Sequence, residues 1–296
     1  MKIIILGSGA ALPDPARCQT SIYLSVAGKH LLFDCGDGCT RQLVKAGINP
    51  AQIDELYLTH LHHDHICDYP NFIISGWMLG RNKPLKVYGP KGVRRFSEYL
   101  LEQGAFQADF LARSHHAARQ QNIVAVRPDV IEISPGSIRE GADYSVDAVH
   151  VDHLPHAICE CFGLSLTSAT KKVVFSGDTA PCPALIALSH QADLLIHECT
   201  FPESIIAHRQ AQGTGHHGHT SPIELGQLAQ ASEVKSLVAT HFGHFDTESA
   251  VLKQAAAKHL PAAIVGPHLL DEVVEDIRRH YSGPLQLAHD LLRIDL

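Results

Sequence analysis

The chain alternates short apolar runs with turns rich in glycine, proline and polar residues. Residues 3–6, Ile-Ile-Ile-Leu, read as a buried first strand that stops at Gly7-Ser8-Gly9. Residues 21–26 and 30–33 read as paired strands turning near Gly28-Lys29. Further strands are predicted at 56–58, 161–167, 172–175, 194–196 and 237–239, with a strand and turn at 84–90 and several short strands across 130–151. Helical spacing appears at 41–46, closed by Gly47, and again at 69–79 and 93–102. A further helix at 223–232 is opened by Ser221-Pro222 with Glu224 behind them. Residues 103–124 are polar and give no assignable period. Phe72 and Trp77 fall in the 69–79 helix and suit a core, an interface or a pocket wall equally. Strands alternating with helices predict an α/β chain.

Polar groups follow these strands in a repeated way. Leu56-Tyr57-Leu58 leads into Thr59-His60-Leu61-His62-His63-Asp64-His65. Alternate side chains of an extended segment point the same way, so His60 and His62 can grip one metal ion. Asp64 and His65, beyond them in a turn or helix start, are free to face a second. The 30–33 strand ends at Asp34, the 172–175 strand runs to Asp178, and the 194–196 strand delivers His197-Glu198. The 237–239 strand ends at Thr240-His241. Chemistry in α/β proteins gathers at the carboxyl ends of strands. A lone buried histidine such as His241 is ordinarily a satisfied core residue, but in this company it reads as a ligand candidate. Asp34 suits a carboxylate that orients a ligating histidine from behind. The loop 213–222 carries His216, His217 and His219 and reads either as a mobile element of the site or as a hinge without chemistry. His115 and His116 receive no role. The loop 7–13 is no dinucleotide fingerprint, because Leu12 fills the third glycine slot and Pro13 and Pro15 oppose a helix there.

Composition narrows the field. The chain of 296 residues is 45% hydrophobic, enough for a substantial core, and it could hold one large α/β domain or two smaller ones. Its formal charge of −7 lacks the bulk basic excess of a nucleic-acid binder, which disfavours a polyanionic partner while leaving room for a local basic groove. The 22 histidines are the compositional outlier. Eight cysteines, with no CxxC pair, read as the reduced thiols of a cytoplasmic protein. The apolar start is too short for a signal-peptide core or a membrane span, so no membrane association is expected.

The ordered motifs resemble the metallo-β-lactamase superfamily and, within it, the ribonuclease Z-like branch, over nearly the whole length. The branch's G-x-G-x-x-x-P loop is matched by Gly7 to Pro13, and its F-D-C-G-E-G by Phe33 to Gly38 with Asp37 in place of Glu. H-x-H-x-D-H is His60 to His65, V-Y-G-P-K-G is Val87 to Gly92, and S-G-D-T is Ser176 to Thr179. The H-E-A-T element reads His197-Glu198-Cys199-Thr200, and H-S-T reads His219-Thr220-Ser221. The resemblance implies one domain, residues 1–296, folded as a four-layer αβ/βα sandwich with metals at the mouth between two sheets. It implies one ion held by His60, His62 and His153, a second held by Asp64, His65 and His241, and Asp178 bridging them. His150 and His156 lie close to His153 and stay open as alternatives to it. Val151-Asp152-His153-x-Pro155, followed by Phe162-Gly163, looks most like the family's third motif. Two Zn²⁺ are the expected cofactors, and Mn²⁺ or Fe would also fit nitrogen and oxygen donors. A hydroxide shared by the ions would be the nucleophile, with Asp64 able to accept a hydrogen bond from it. His219, and His197 with Glu198, are the candidate proton donors to the leaving group, His219 being preferred because its loop can close over the substrate.

The chain also departs from the branch. Members that process tRNA carry a protruding arm between the third motif and the S-G-D-T strand, whereas here Ser168-Ala169-Thr170-Lys171 makes only a tight turn. His241 is followed by Phe242-Gly243-His244-Phe245 in place of the arginine-containing H-x-S-x-R-Y. The expected function is therefore a dinuclear zinc hydrolase of small-molecule esters, foremost a phosphodiesterase. The alternatives are a ribonuclease Z-type tRNA 3′-processing endonuclease, a sulfatase-like or lactonase-like hydrolase, and a non-catalytic metal-binding regulatory protein. The resemblance also implies a homodimer.

Overall fold

The computed structural model describes residues 1–214 and 218–296. Its strands are β1 (Lys2–Gly7), β2 (Ser21–Val26), β3 (Lys29–Phe33), β4 (Glu55–Tyr57), β5 (Lys86–Gly89), β6 (Asp129–Glu132) and β7 (Gly136–Arg139). They continue as β8 (Tyr144–His150), β9 (Phe162–Ser168), β10 (Lys172–Phe175), β11 (Leu194–Glu198), β12 (Leu237–Thr240), β13 (Leu285–Leu287) and β14 (Arg293–Asp295). The α-helices are α1 (Cys39–Lys45), α2 (His63–Ile66), α3 (Tyr69–Met78), α4 (Val93–Leu101) and α5 (Gln107–Ser114). After them come α6 (Pro183–Ser189), α7 (Glu203–Ala211), α8 (Pro222–Ala231), α9 (Ala250–Ala256) and α10 (Leu269–Arg278).

The two-residue period of a strand deals its side chains to two different layers. In β1, Ile3 and Ile5 join the core between the sheets, while Ile4 and Leu6 join the layer beneath the outer helices. The same division sends Leu31, Phe33, Tyr57 and Tyr88 inward and Leu32, Leu56 and Val87 outward. The register places Leu32, Leu56, Val87 and Val130 side by side across β3 to β6, so the outward set forms one continuous apolar row. Inward, Phe33 stacks on Phe175 at 3.9 Å and on Tyr57 at 5.1 Å, stitching the two sheets together.

One sheet runs β14-β1-β2-β3-β4-β5-β6 and the other β13-β12-β11-β10-β9-β8-β7. Helices α1, α3 and α4 cover the first, and α6, α8 and α10 cover the second, giving the expected αβ/βα layering. The strands across 130–151 divide between the sheets, β6 closing one and β7 and β8 opening the other. Residues 103–126 fold as α5 and a 3₁₀ segment, Ala117–Val126, built around Trp77 and Phe110. Trp77 and Phe72 are fully buried, which makes both of them core. The turn after β9 is a hairpin, with Ser168 N–H donating to Lys171 O at 2.9 Å and Thr167 facing Lys172. Among the described residues no helix is long and apolar enough to cross a membrane. His216 and His217 lie outside the described residues.

Candidate metal centre and its cleft

Strands β3 and β4 are parallel neighbours in one sheet, and β10, β11 and β12 are parallel neighbours in the other. The residues that follow these strands meet in one place because the chain turns sharply there. Asp34 and His241 hold left-handed backbone, with φ of 57° and 61°. A non-glycine residue in that conformation costs roughly 1–2 kcal/mol, so the fold tolerates strain at both positions. Gly177, with φ of 58°, precedes Asp178, and a Cβ there would sit 2.7 Å from Phe162 O. Only glycine delivers Asp178 to this spot.

Two four-residue groups result. His60, His62, His153 and Asp178 each offer a donor atom within 4.8 Å of the others, and so do Asp64, His65, Asp178 and His241. Asp178 belongs to both. Its Oδ2 lies 3.8 Å from His153 Nε2 and 3.3 Å from His241 Nε2, while its Oδ1 lies 3.4 Å from His65 Nε2. Asp64 Oδ2 is 3.3 Å from His241 Nε2, and His153 Nε2 is 3.0 Å from His62 Nδ1. His150 and His156 are elsewhere, their rings tilted against each other with centroids 4.4 Å apart and His150 facing Glu160 at 3.2 Å.

The outer ring nitrogens show which atoms face inward. His65 Nδ1–H donates to Asp34 Oδ2 at 2.8 Å, and His153 Nδ1 donates to Gly218 O at 2.8 Å. Thr59 Oγ1 donates to Asp34 and so accepts from His60 Nδ1 at 3.1 Å. Thr200 Oγ1 donates to Glu198 at 2.8 Å and so accepts from His241 Nδ1 at 2.9 Å. In its neutral form each of these four histidines therefore presents its Nε2 lone pair inward, directed at carboxylates and other lone pairs. His60 Nε2 is buried with no hydrogen-bond partner. Converging lone pairs with an orphaned imidazole nitrogen fit divalent cations and are hard to reconcile with a self-sufficient polar core.

Charge follows geometry. Burial pushes His60 well below the usual histidine range and lowers His62 and His153. Burial would do the same to His65, but Asp178 and Asp34 lift it well above that range. Burial opposes ionisation of Asp178 and Asp64 too, yet the facing imidazoles hold both carboxyls below their ordinary value.

Beside this centre His219 Nδ1 bonds Glu198 Oε1 at 2.9 Å. Glu198 is buried and fixed by the N–H groups of Thr179, Thr200 and Thr220. Burial alone would lower His219, but Glu198 raises it to about 9. His197 is placed differently: it is fully buried, its Nδ1 donates to Glu198 O, and it does not line the cleft. It is therefore not positioned to give a proton to a group in the cleft.

The cleft has a volume of about 800 Å³ and reaches from His62, Asp64, His153, Asp178, His219 and His241 to α7 and residues 252–265. Most of that wall carries no signal in the amino-acid sequence. Thr59 stands next to the H-x-H-x-D-H motif and Thr200 closes the H-E-C-T element, but neither position announced its hydrogen bond to a ligand histidine. Phe201, Arg209, His244 and Lys258 come from separate segments with no shared spacing.

Residues 1–213 match the family model described as Anti-Pycsar protein Apyc1. Ribonuclease Z of Methanothermobacter thermautotrophicus is 30% identical over 96% of this chain and 99% of its own. The chain belongs to that Apyc1 family and is a ribonuclease Z-like member of the metallo-β-lactamase superfamily. Among solved structures, the metallo-β-lactamase fold protein YhfI from Bacillus subtilis superposes with a TM-score of 0.73 at 20% identity, covering 99% of this chain and 98% of that one. Human tRNase Z, short form, superposes at 0.70 with 24% identity, covering 100% and 99%. As a class, this ribonuclease Z-like chain is a metallo-hydrolase of the metallo-β-lactamase fold.

Proposed function

We propose that the chain is a phosphodiesterase holding two divalent cations, zinc in our reading. His60, His62 and His153 would hold one ion, Asp64, His65 and His241 the other, and Asp178 both. The supporting observation is the pair of ligand groups sharing Asp178, with the His219–Glu198 pair 2.9 Å apart on the same cleft. Bound cations supply Lewis acidity to the phosphoryl oxygens and acidify water. The chain's own groups do the rest. Asp34 and Thr59 fix His65 and His60 in the tautomers that present Nε2. Glu198 engages His219 Nδ1 and keeps the imidazole protonated through neutral pH, so the proton given to the leaving oxygen is the one on Nε2. The proposal includes one domain over residues 1–296, a homodimer and a cytoplasmic setting.

Two substrate readings divide this activity. The ribonuclease Z name of the Methanothermobacter thermautotrophicus relative, taken with the branch resemblance, favours a tRNA 3′-processing endonuclease, and that reading stands at least level with the other. It also removes the ground for setting nucleic acid aside, since the net charge of −7 says nothing about a local groove. The small-phosphodiester reading rests on the tight hairpin between β9 and β10, where the branch's tRNA-processing members carry an arm.

The test is a zinc-loaded enzyme offered bis(p-nitrophenyl) phosphate, a 3′,5′-cyclic nucleotide, p-nitrophenyl sulfate, a lactone and a precursor tRNA. Phosphodiester cleavage with sulfate and lactone untouched supports the reading. Efficient cleavage of the precursor alone selects the endonuclease. Inertness on every phosphodiester in a metal-loaded protein overturns the function.

A further inference from the structure

The cleft is charged against the sign of the chain. The formal charge is −7, yet the carboxylates among the described residues lining the cleft are Asp64 and Asp178 alone, both already assigned to the metal centre. Every other group of fixed charge on that wall is cationic: Arg209 and Lys258, with His208 and His259 beside them. These four form a connected rim. Arg209 follows His208 on α7, His208 Nε2 bonds His259 O at 2.9 Å, and His259 follows Lys258. No carboxylate pairs with Lys258 among the described residues.

At one end of this rim, Arg209 stands one ring away from the proposed proton donor. Phe201 meets His219 edge to face, with centroids 6.1 Å apart, and the Arg209 guanidinium lies 4.8 Å from the centroid of Phe201. Gly243 leaves room for that ring, since a Cβ there would come within 2.9 Å of Phe201 Cε1. The scissile phosphodiester needs the metal centre and His219.

We propose that this rim is a subsite for a second phosphate, carried one sugar ring away from the scissile phosphodiester. Lys258 and Arg209 are its specificity-determining residues. The inference rests on the phosphodiesterase reading for its first phosphate and on the cleft's charge for its second. A charge-assisted contact at the rim contributes chiefly to binding, so the second phosphate lowers KM more than it raises kcat.

The substrate pair that isolates this effect is thymidine 5′-(p-nitrophenyl phosphate) with and without a 3′-phosphate, which share one scissile bond. The 3′-phosphorylated form should show a KM lower by about tenfold or more, as expected for a hydrogen-bonded charge pair. Lys258→Glu should erase that preference and Lys258→Arg should keep most of it. Equal KM values in the wild type, or a preference that survives Lys258→Glu, overturns the subsite. A calorimetric arm needs no turnover: thymidine 3′,5′-bisphosphate should bind about tenfold more tightly than thymidine 5′-phosphate, and Lys258→Glu should remove the difference. Absent cleavage with this binding difference intact refutes the phosphodiesterase reading alone, whereas cleavage without it refutes the subsite alone.

Discussion

Strand β4 has a buried polar cluster at each end, and the two are built in opposite ways. At its start, Glu55 Oε2 accepts hydrogen bonds from Tyr57 at 2.5 Å and Tyr144 at 2.8 Å, and Oε1 accepts one from Arg139 at 3.3 Å. The Arg139 guanidinium also lies over the Tyr144 ring, 3.5 Å from its centroid. Charge meets countercharge there, and donors meet acceptors. Just past the other end, His60 Nε2 is orphaned, and the inner nitrogens of His65, His153 and His241 face carboxylate oxygens with lone pairs on both sides. A cluster closed within the protein holds structure together. A cluster whose lone pairs converge is shaped for a cation, and its surroundings tolerate strained backbone at Asp34 and His241 to keep it so.

The contrast can be broken most severely at Asp178, the carboxylate common to both ligand groups. Asp178→Asn should lower bound metal and cut turnover by roughly 10³-fold or more, because the transition-state charge loses its Lewis acids. Metal analysis beside steady-state kinetics checks both halves. His219→Gln should act on turnover alone, lowering kcat by roughly 10²–10⁴-fold with the metal content kept.

The pH profile sharpens that second case. Glu198 raises His219 above its ordinary value of 6.5, to about 9. The protonated donor is therefore present at neutral pH and lost as pH rises through about 9, and kcat should fall across that window. The same raised value means that the pair's contribution to stability is full below 6.5 and disappears through about 9. In His219→Gln the alkaline fall in kcat should vanish, and its persistence would assign it to another group.

Asp34→Asn acts one step back, on the tautomer of His65. It should weaken metal affinity by about 10–100-fold, read by competition with a chelator. The closed cluster should answer differently. Glu55→Gln takes the countercharge from Arg139 and should lower stability by roughly 1–3 kcal/mol, measured by denaturant unfolding, with kcat and metal content held. A large loss of turnover without a loss of stability would remove the distinction between the two ends of β4.

Much of this was legible in the residues themselves. The apolar runs marked β1, β2, β3, β10, β11 and β12 closely, because buried strands with glycine-rich ends leave a strong local pattern. Asp34, His60, Asp178 and His241 stood out by recurring after such runs. Pairings between distant segments were not legible. That β6 and β7 belong to different sheets depends on the sandwich as a whole. No element was assigned beyond residue 239, so α9, α10, β13 and β14, and with them the wall carrying Lys258, came only from the structure. Phe72 and Trp77 fit a core or a pocket equally by pattern, and burial decided for the core. His219 was preferred to His197 as a donor only for its loop, and the structure alone shows that His219 lines the cleft whereas His197 is buried away from it.

The most direct test of the converging lone pairs is a zinc titration of chelator-treated protein, followed by calorimetry and by turnover of a phosphodiester. The account predicts two equivalents bound per chain, with activity rising as they bind and with Asp178→Asn failing to hold the pair. Full phosphodiesterase activity without divalent metal, or zinc uptake that leaves Asp178→Asn indistinguishable from wild type, would contradict it.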